Sequence, residues 1–503
     1  MPENKQFDKF NEMCSVRGLF FPSAEIYSNN FAGFYEYGPI GAMIKNRIVD
    51  FWRKEFVKKN NFLEISGSAI LPESVFKASG HIQSMLDPIA TCSKCNSVYR
   101  LDKLISEVTG KEIPESLPIE EYSKLIEDNK IVCIKCKGQL KDISKFNLMF
   151  SLNVGSQKGN TGYLRPETCQ SIFLDFQRIY KMSREGLPIG ISQCGKSFRN
   201  EISPRNGLIR CREFEQMESE LFFDPDKIDD IDLDNFKNLN VRFKLLKDDI
   251  ERDYSVEQIT KNRITVGKLI TYYLARTQEF MESIGFKHEF LRYRELSDED
   301  RAFYSKQTFD LEIKTKNGWI ELFCINYRTD HDLRGHSDGS KKDLSVSEDG
   351  KVILPHVLEV ASIGLDRLFY VLLENSFSVK EVNGEERNVI SLKPRISPYF
   401  CAVLSLVKKD GLSEKAQKIY QQLLDANMPF EIFFDEKGSI GKRYARLDEI
   451  GCNYCLTIDH QTLEDNTVTI RDRDSFDQKR IKIEKLYKVL TELYFAKISF
   501  SKL

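Results

Sequence analysis

Phe198-Arg199-Asn200-Glu201-Ile202-Ser203-Pro204-Arg205-Asn206-Gly207-Leu208-Ile209-Arg210-Cys211-Arg212-Glu213-Phe214-Glu215-Gln216-Met217-Glu218 decides how this chain reads. Within residues 188–223 it predicts a long strand, a turn-rich loop and a return strand. Arg199, Arg205, Arg210 and Arg212 bring planar, forked donors to that loop, the geometry that suits phosphate oxygens. An edge hairpin with a salt-bridged surface is the plainer alternative. The return strand argues against it. Alternation puts Phe214, Gln216, Glu218 and Glu220 on one face and Met217, Leu221 and Phe223 on the other. The second face buries easily. The first joins a ring, an amide and two carboxylates, a floor that suits a ligand carrying both an ammonium group and phosphates.

Working outward, Ile40, Met43, Ile44, Ile48, Phe51, Trp52 and Phe56 share one helical face, so 38–58 reads as a helix opened by Gly38-Pro39. Residues 62–71 read as a strand closed by Pro72. The run 224–235 is acidic and reads as a solvated linker. Residues 256–285 are helical by pattern and end at Gly285; strands return at 308–314 and 319–327. Further on, Ser362-Ile363-Gly364-Leu365-Asp366-Arg367 leads into an apolar helix at 365–374. Its N-terminus favours an anion, and Arg367 adds a full charge.

Lys393-Pro394-Arg395-Ile396-Ser397-Pro398 marks a domain boundary. Beyond it short apolar strands and helices alternate: strands at 400–407, 430–434, 454–458 and 467–471, helices at 413–427 and 444–450, and mostly helix over 479–497. That order predicts a small α/β domain with a largely parallel sheet. Residues 92–143 read as an insertion bracketed by Cys92-x-x-Cys95 and Cys133-x-x-Cys136. Two such knuckles can give four thiolates to a structural Zn²⁺; reduced thiols in a degenerate ribbon are the alternative. Cys452 and Cys455 read as core packing, as do Cys169 and Cys194.

Composition sets the bounds. The chain has 503 residues, 41% of them hydrophobic, enough for two to four cored units. The 74 Lys+Arg nearly cancel 76 Asp+Glu, which excludes a nucleic-acid binder that works by bulk charge. No apolar run reaches membrane length, and the N-terminus lacks a secretory h-region. Twelve cysteines in so long a chain predict cytosolic thiols rather than a disulfide scaffold. Lys181-Met182-Ser183-Arg184 has the look of a class I synthetase loop, but no βαβ unit accompanies it.

The arginine stretch resembles motif 2 of the class II aminoacyl-tRNA synthetases, Gly364-Leu365-Asp366-Arg367 resembles motif 3, and the helix at 38–58 with the strand to Pro72 resembles motif 1. The chain is most similar to the homodimeric glycyl-tRNA synthetase family. Supporting segments are Ala32-Gly33-Phe34-Tyr35-Glu36-Tyr37-Gly38-Pro39, Val75-Phe76-Lys77-Ala78-Ser79-Gly80-His81, Leu164-Arg165-Pro166-Glu167-Thr168, Arg328-Thr329-Asp330-His331-Asp332-Leu333 and Gly438-Ser439-Ile440-Gly441-Lys442-Arg443-Tyr444. The resemblance implies a multidomain α/β protein. Residues 1–394 would form an α+β catalytic domain on an antiparallel sheet, with a zinc-ribbon-like insertion at 92–143 and a helical one at 224–290. Residues 395–503 would form an α/β anticodon-binding domain.

It also implies the chemistry: glycine and ATP give glycyl-adenylate, and glycine then passes to the 3′ end of tRNA(Gly), in a cytoplasmic homodimer that uses Mg²⁺ and holds no membrane. By that resemblance Arg199 holds the α-phosphate and Arg367 the γ-phosphate. Asn200, Glu201, Ile209, Arg210, Cys211, Arg212, Glu213 and Phe214 surround ATP, with Phe214 under adenine. Gly364, Leu365 and Asp366 lie beside it, and Glu321 with Leu322 takes the acidic position on the metal side. Glu167, Glu218 and Glu359 cage the ammonium with Ser362; Arg100, Phe214, Glu215, Gln216 and Met217 complete the glycine side. Lys442, Arg443, Arg446, Arg471 and Arg473 are the tRNA-contact candidates. One departure stands out. The family carries Glu-Pro-Ser before the motif 3 glycine, whereas Glu359-Val360-Ala361-Ser362-Ile363-Gly364 is one residue longer; Ser362 keeps its spacing to Gly364, so the motif places Ser362 more firmly than Glu359. A prolyl, threonyl or histidyl synthetase, or a silent tRNA-binding paralogue, are the other readings.

Overall fold

Phe309, Leu311 and Ile313 alternate with Thr308, Asp310 and Glu312, and the same period-two pattern organises the neighbouring strands. The computed structural model describes residues 2–503 apart from 112, 115–116, 157–158, 203, 205–206, 249, 303, 317 and 383. Among the described residues nine strands form the principal sheet: β1 (Leu63–Ile65), β2 (Ile189–Phe198), β3 (Glu213–Phe223), β4 (Asn240–Lys244), β5 (Arg252–Ser255), β6 (Leu291–Glu295), β7 (Gln307–Thr315), β8 (Gly318–Thr329) and β9 (His356–Gly364). Their order is β5-β4-β6-β7-β8-β9-β3-β2-β1. All neighbours are antiparallel except β1 with β2 and β4 with β6. Met217, Leu221, Leu311, Ile325 and Leu358 on one face make the main core with helices α1 (Pro39–Trp52), α3 (Lys268–Ile284) and α5 (Leu365–Ser376). On the opposite face α2 (Cys169–Ser183) and α4 (His331–Ser340) build a smaller core from Phe173, Phe176, Phe222 and Leu333. The polar floor that includes Glu218 lies on this second face.

Local chemistry explains where elements start and stop. Pro39 opens α1, and the chain then continues as a π turn at Arg53–Val57 and a 3₁₀ turn at Lys58–Asn60. The wider turn lets the adjacent Phe56 and Val57 both reach the core. The single strand expected at 62–71 is two. Leu63–Ile65 joins β2, and Ile70–Pro72 joins a separate sheet with Thr161–Leu164. Between them Gly67 packs against Ser171 and Gln193 with no room for a side chain, so the backbone turns there. The 256–285 helix is likewise two pieces, Val256–Lys261 and α3, and α3 ends at Gly285 as expected. The 224–290 segment is not only helical, because β4 and β5 extend the main sheet. The acidic run at 224–235 is no free linker. Its acids other than Asp224 face water, while Ile228, Ile231 and Leu233 pack on the core.

The C-terminal sheet comprises β10 (Cys401–Ser405), β11 (Ile432–Asp435), β12 (Tyr454–Ile458), β13 (Thr467–Asp472) and β14 (Gln478–Lys482). The order is β11-β10-β12-β13-β14, with the first three parallel and the last two antiparallel. Helix was expected from 479; instead β14 is a charged edge strand and the helix spans Leu486–Tyr494. Edge strands tolerate such charge, which hides their period.

Three of the five arginine and lysine candidates for tRNA contact turn inward. Arg443 is buried and donates to the carbonyls of Ser405, Leu406 and Asp435. Arg471 forks onto Asp448 at 2.9 and 3.0 Å, and Arg473 donates to the carbonyls of Leu392 and Gly451. Arg446 pairs with Asp435 at 2.5 Å, and Lys442 is exposed. Replacing Arg471 with Ala leaves Asp448 buried without its fork. The expected cost is about 3 kcal/mol, read as a fall in the urea unfolding midpoint. No helix of the described residues is long and apolar enough to cross a membrane.

Candidate active site

β2 and β3 run antiparallel and present the arginine loop at the end where Ser197 faces Phe214. Arg199 donates to the Pro166 carbonyl at 3.1 Å, and its guanidinium lies 5.6 Å from the centroid of the Phe214 ring. Arg210 pairs with Glu201 at 2.7 Å. From the first turn of α5, Arg367 donates to the carbonyls of Ile209 at 3.2 Å and Glu321 at 2.6 Å. Burial lowers the Arg367 pKa; Glu321 opposes that, while Arg199 and Arg210 push it down further. Three guanidinium groups therefore share one field, an arrangement that calls for a polyanion. Ser203, Arg205 and Asn206 lie outside the described residues.

Other expected ATP-side residues serve the scaffold. Asp366 accepts from the Tyr37 hydroxyl and from the Glu215 N–H, both at 2.6 Å, and so pins β3 to α5. Leu365, Leu322 and Cys211 are buried in the main core. Arg212 donates to the carbonyls of Glu201 and Ala32, which ties the loop down, and Glu213 pairs with Lys196. Asn200 bonds through its backbone to Leu148, and Gly364 is the residue before α5. Glu321 is exposed beside Arg367.

Alternation holds along β3. Glu218 points to the polar face, where it accepts from the hydroxyls of Thr168 and Ser362, the latter at 2.9 Å. Gln216 shares that face and accepts from Ser197 at 2.7 Å. Glu215 and Met217 were expected on the glycine side, but they point away. Glu215 pairs with Lys45 at 2.5 Å and Met217 is fully buried in the core. A period-two strand cannot offer successive side chains to one ligand. Arg100 sits in the inserted sheet, with ion pairs to Asp102 at 2.8 Å and Asp87 at 3.3 Å.

The one-residue excess before α5 is absorbed by a β-bulge. Glu218 pairs with Ser362 and Ser219 with Ala361, but Glu220 pairs with Glu359, which leaves Val360 without a partner. Val360 and Ala361 both enter the main core. The extra residue thus flips the strand once, and Glu359 and Ser362 return to the same face. Deleting Val360 should regularise the ladder without moving either group. Glycine-dependent exchange of pyrophosphate into ATP within about tenfold of the parent is expected, and complete loss would refute this account of the bulge.

The acidic floor gathers Glu167, Glu218, Glu220 and Glu359. Glu359 is bonded at 2.9 Å by Arg328, which also forks onto Asp332 at 2.7 and 2.9 Å. The Arg328 guanidinium is sandwiched by Tyr304 and Phe173. Glu167 pairs with His81 at 2.8 Å, and Ser79 holds His81 from its other nitrogen. Burial alone would raise the Glu167 pKa, but His81 and Arg328 hold it well below the usual range. Burial, with the charges of Glu167 and Glu359, pushes Glu218 up to about 7. Burial raises Glu359 too, against the pull of Arg328. An excess of carboxylate with too few cations is a site prepared for a positive ligand. Sequence reasoning assigned no role to His81, Thr168, Arg328 or Asp332, although each stood in a segment it singled out. Glu220 was on the face that alternation had marked.

In the inserted module the two knuckles repeat one geometry. The N–H of Cys92 donates to the Ser97 carbonyl and that of Asn96 to Cys92; Cys133, Gly138 and Lys137 repeat the pattern. Asn96 and Lys137, at φ 54° and 57°, close the two turns. The sulfurs of Cys92 and Cys136 are 3.4 Å apart and those of Cys95 and Cys133 3.6 Å, near the ~3.8 Å edge of a tetrahedron with ~2.3 Å Zn–S bonds. All four sulfurs lie within 4.8 Å of one another.

Residues 150–376 match the tRNA synthetase class II core domain (G, H, P, S and T), and residues 401–493 match an anticodon binding domain. The chain is 36% identical to the glycine–tRNA ligase of Methanothrix thermoacetophila, covering 99% of this chain and 98% of that protein. It is 37% identical to that of Pyrococcus furiosus, covering 97% and 100%. Among solved structures, a Giardia lamblia prolyl-tRNA synthetase in complex with prolyl-adenylate superposes with TM-score 0.62 at 14% identity, covering 98% of this chain and 80% of that one. A Cryptosporidium parvum threonyl-tRNA synthetase structure gives 0.59 at 19%, covering 96% and 98%. These two likenesses speak for the fold alone. Sequence identity over nearly the whole length, together with the two matched domains, shows that the chain belongs to the glycine–tRNA ligase family of class II aminoacyl-tRNA synthetases.

Proposed function

We propose that the guanidinium groups and the acidic floor divide one reaction between them. The enzyme joins glycine to tRNA at the expense of ATP. A glycine carboxylate oxygen attacks the α-phosphorus, the bond to the β-phosphate oxygen breaks, and pyrophosphate leaves. The carboxylate is already a nucleophile, so alignment and charge stabilisation do the catalysis. Arg199 holds the α-phosphate, Arg367 the γ-phosphate, and Phe214 with Arg210 borders the nucleotide. Glu167, Glu218, Glu359 and Ser362 take the ammonium. The 3′-terminal hydroxyl of tRNA then attacks the carbonyl carbon, and AMP leaves. The observation that carries this reading is the shared field of Arg199, Arg210 and Arg367.

The class II reaction uses Mg²⁺, which neutralises phosphate charge when bound. Glu321 and Asp310 would hold it. Burial and the nearby Glu321 push Asp310 up to about 7, the signature of like charges that a divalent ion would relieve. Glycine has no side chain to grip, so exclusion must be steric, which rejects larger amino acids more strongly than a missing methylene could. Exchange of pyrophosphate into ATP with glycine, alanine, serine, proline, threonine and histidine tests the assignment; activity led by any amino acid but glycine overturns it.

Cys92, Cys95, Cys133 and Cys136 hold a structural Zn²⁺, since four protein ligands leave no open position. Metal analysis should give about one zinc per chain, and Cys133→Ser should lose it and loosen residues 92–143 to protease. An intact, protease-resistant module without zinc would refute it. The catalytic unit ends near residue 394 and the anticodon-binding unit follows. A homodimer is supported by Ile26, Tyr27 and Phe31, exposed at 90%, 63% and 75%. Cytoplasmic residence is supported by twelve cysteines without a disulfide.

A further inference from the structure

Glu220 is fully buried, and neither carboxylate oxygen has a hydrogen-bond partner. Among the carboxylates of the acidic floor it alone is orphaned in this way. Glu218 accepts from two hydroxyls, Glu359 has Arg328, and Glu167 has His81. An ionised carboxylate without partners in a site so deep is not tolerable, so structure alone gives no reason for it. Its place does. Glu220 lies two residues beyond Glu218 on the same face of β3 and pairs directly with Glu359 on β9. A Glu220 oxygen, a Glu218 oxygen and the Cys169 sulfur lie within 4.8 Å of one another.

The groups that face it are few. Glu218 comes from its own strand, Glu359 from β9, Arg328 from β8, Asp332 from α4 and Cys169 from α2. Three of these five are acids, and the one cation, Arg328, is already shared by Asp332 and Glu359. Burial is the largest cause that disfavours a charge at Glu220, and Glu359, Glu218 and Asp332 add to it against Arg328, so its pKa stands well above the ordinary range. The entry of one more cation changes that balance.

We propose that Glu220 is a positioning residue for ammonium capture: it keeps its proton while the pocket is empty and gives it up when the ammonium of glycine enters. Around the ammonium the bound state then holds one added positive charge and one added negative charge, and the glycine carboxylate brings a second negative charge to the side of the phosphate-binding arginines. A zwitterion is taken in, one O–H bond at Glu220 breaks, and a single proton leaves to solvent. The pocket thereby avoids a standing excess of charge when empty and offers its full attraction only when a cation arrives. This rests on the glycine reading of the site.

The test is calorimetric titration of the purified enzyme with glycine at pH 8 in two buffers of different ionisation heat, which counts protons released per glycine bound. At pH 8 Glu218 has already ionised, so it contributes little. About one proton is expected from the parent protein and none from Glu220→Gln. In exchange assays the variant's KM for glycine should rise about tenfold or more, with kcat far less affected. Glu220→Asp, which restores an ionisable group, should recover part of the release. Glycine binding without proton release in the parent overturns the proposal, as does undiminished release in Glu220→Gln. If the Gln variant does not fold, the parent's own profile decides. Release that persists at pH 8 supports Glu220, and release that vanishes between pH 6 and 8 assigns the proton to Glu218 and overturns the proposal. Failure of the parent to bind glycine at all would instead refute the glycine reading, a distinguishable result.

Discussion

Arg199→Ala abolishes glycyl-adenylate formation: glycine-dependent exchange is expected to fall about 10²–10³-fold, the cost of removing one preorganised donor from developing charge. The rest of the scaffold should survive. Among the described residues the side-chain hydrogen bond of Arg199 goes to the Pro166 carbonyl, and its guanidinium lies over the Phe214 ring; neither contact closes the core. Thermal unfolding and tRNA binding by the variant should therefore match the parent. The loss should appear in kcat as well as in KM for ATP, because the α-phosphate carries its greatest charge in the transition state. Exchange activity near the parent level would remove Arg199 from the reaction.

Glu218→Gln should separate stability from function. The folded pKa of Glu218 is about 7 against an ordinary 4.5. The folded state therefore holds this proton more tightly than the unfolded chain does. As pH rises from about 4.5 to about 7 the folded state loses stability, and above pH 7 the full penalty, about 3 kcal/mol, is in place. Gln cannot ionise, so the variant should unfold at higher urea than the parent at pH 8, and the advantage should vanish near pH 4.5. The same substitution removes a carboxylate from the ammonium, and KM for glycine should rise about 10²-fold. A variant that keeps both the parent's KM and its pH profile would show that Glu218 neither carries the strain nor meets the substrate. The trade is the usual one at active sites, where like charges are held together for a ligand and the fold bears the cost.

Much of this site could be read from residue order. The two-residue period of β3 placed Glu218 and Glu220 opposite Met217 and Leu221, and the structure keeps that division. The same rule, applied strictly, would have excluded Glu215 and Met217 from the glycine side. The resemblance to a known motif ran through consecutive residues and overrode it. Asp366 is a related case. A motif marks residues that matter without saying whether they meet the ligand or hold the loop, and Asp366 holds Tyr37 and β3. Arg443, Arg471 and Arg473 looked like surface charge because arginine is seldom buried, yet each found carbonyls or a carboxylate inside the fold.

By itself the order of residues determined most of the strands and helices, the two C-x-x-C knuckles, the arginine loop and the membership of a synthetase family, because hydrophobic period, turn residues and ligand spacing act over a few neighbours. Only tertiary packing decided that Val360 drops out of the ladder and restores Glu359 to the side of Ser362, that Arg328 runs beneath that carboxylate, and that Glu220 is left without a partner. Those outcomes depend on register between strands more than a hundred residues apart and on the field of charges brought together from five elements, and neither quantity exists until the chain has closed on itself.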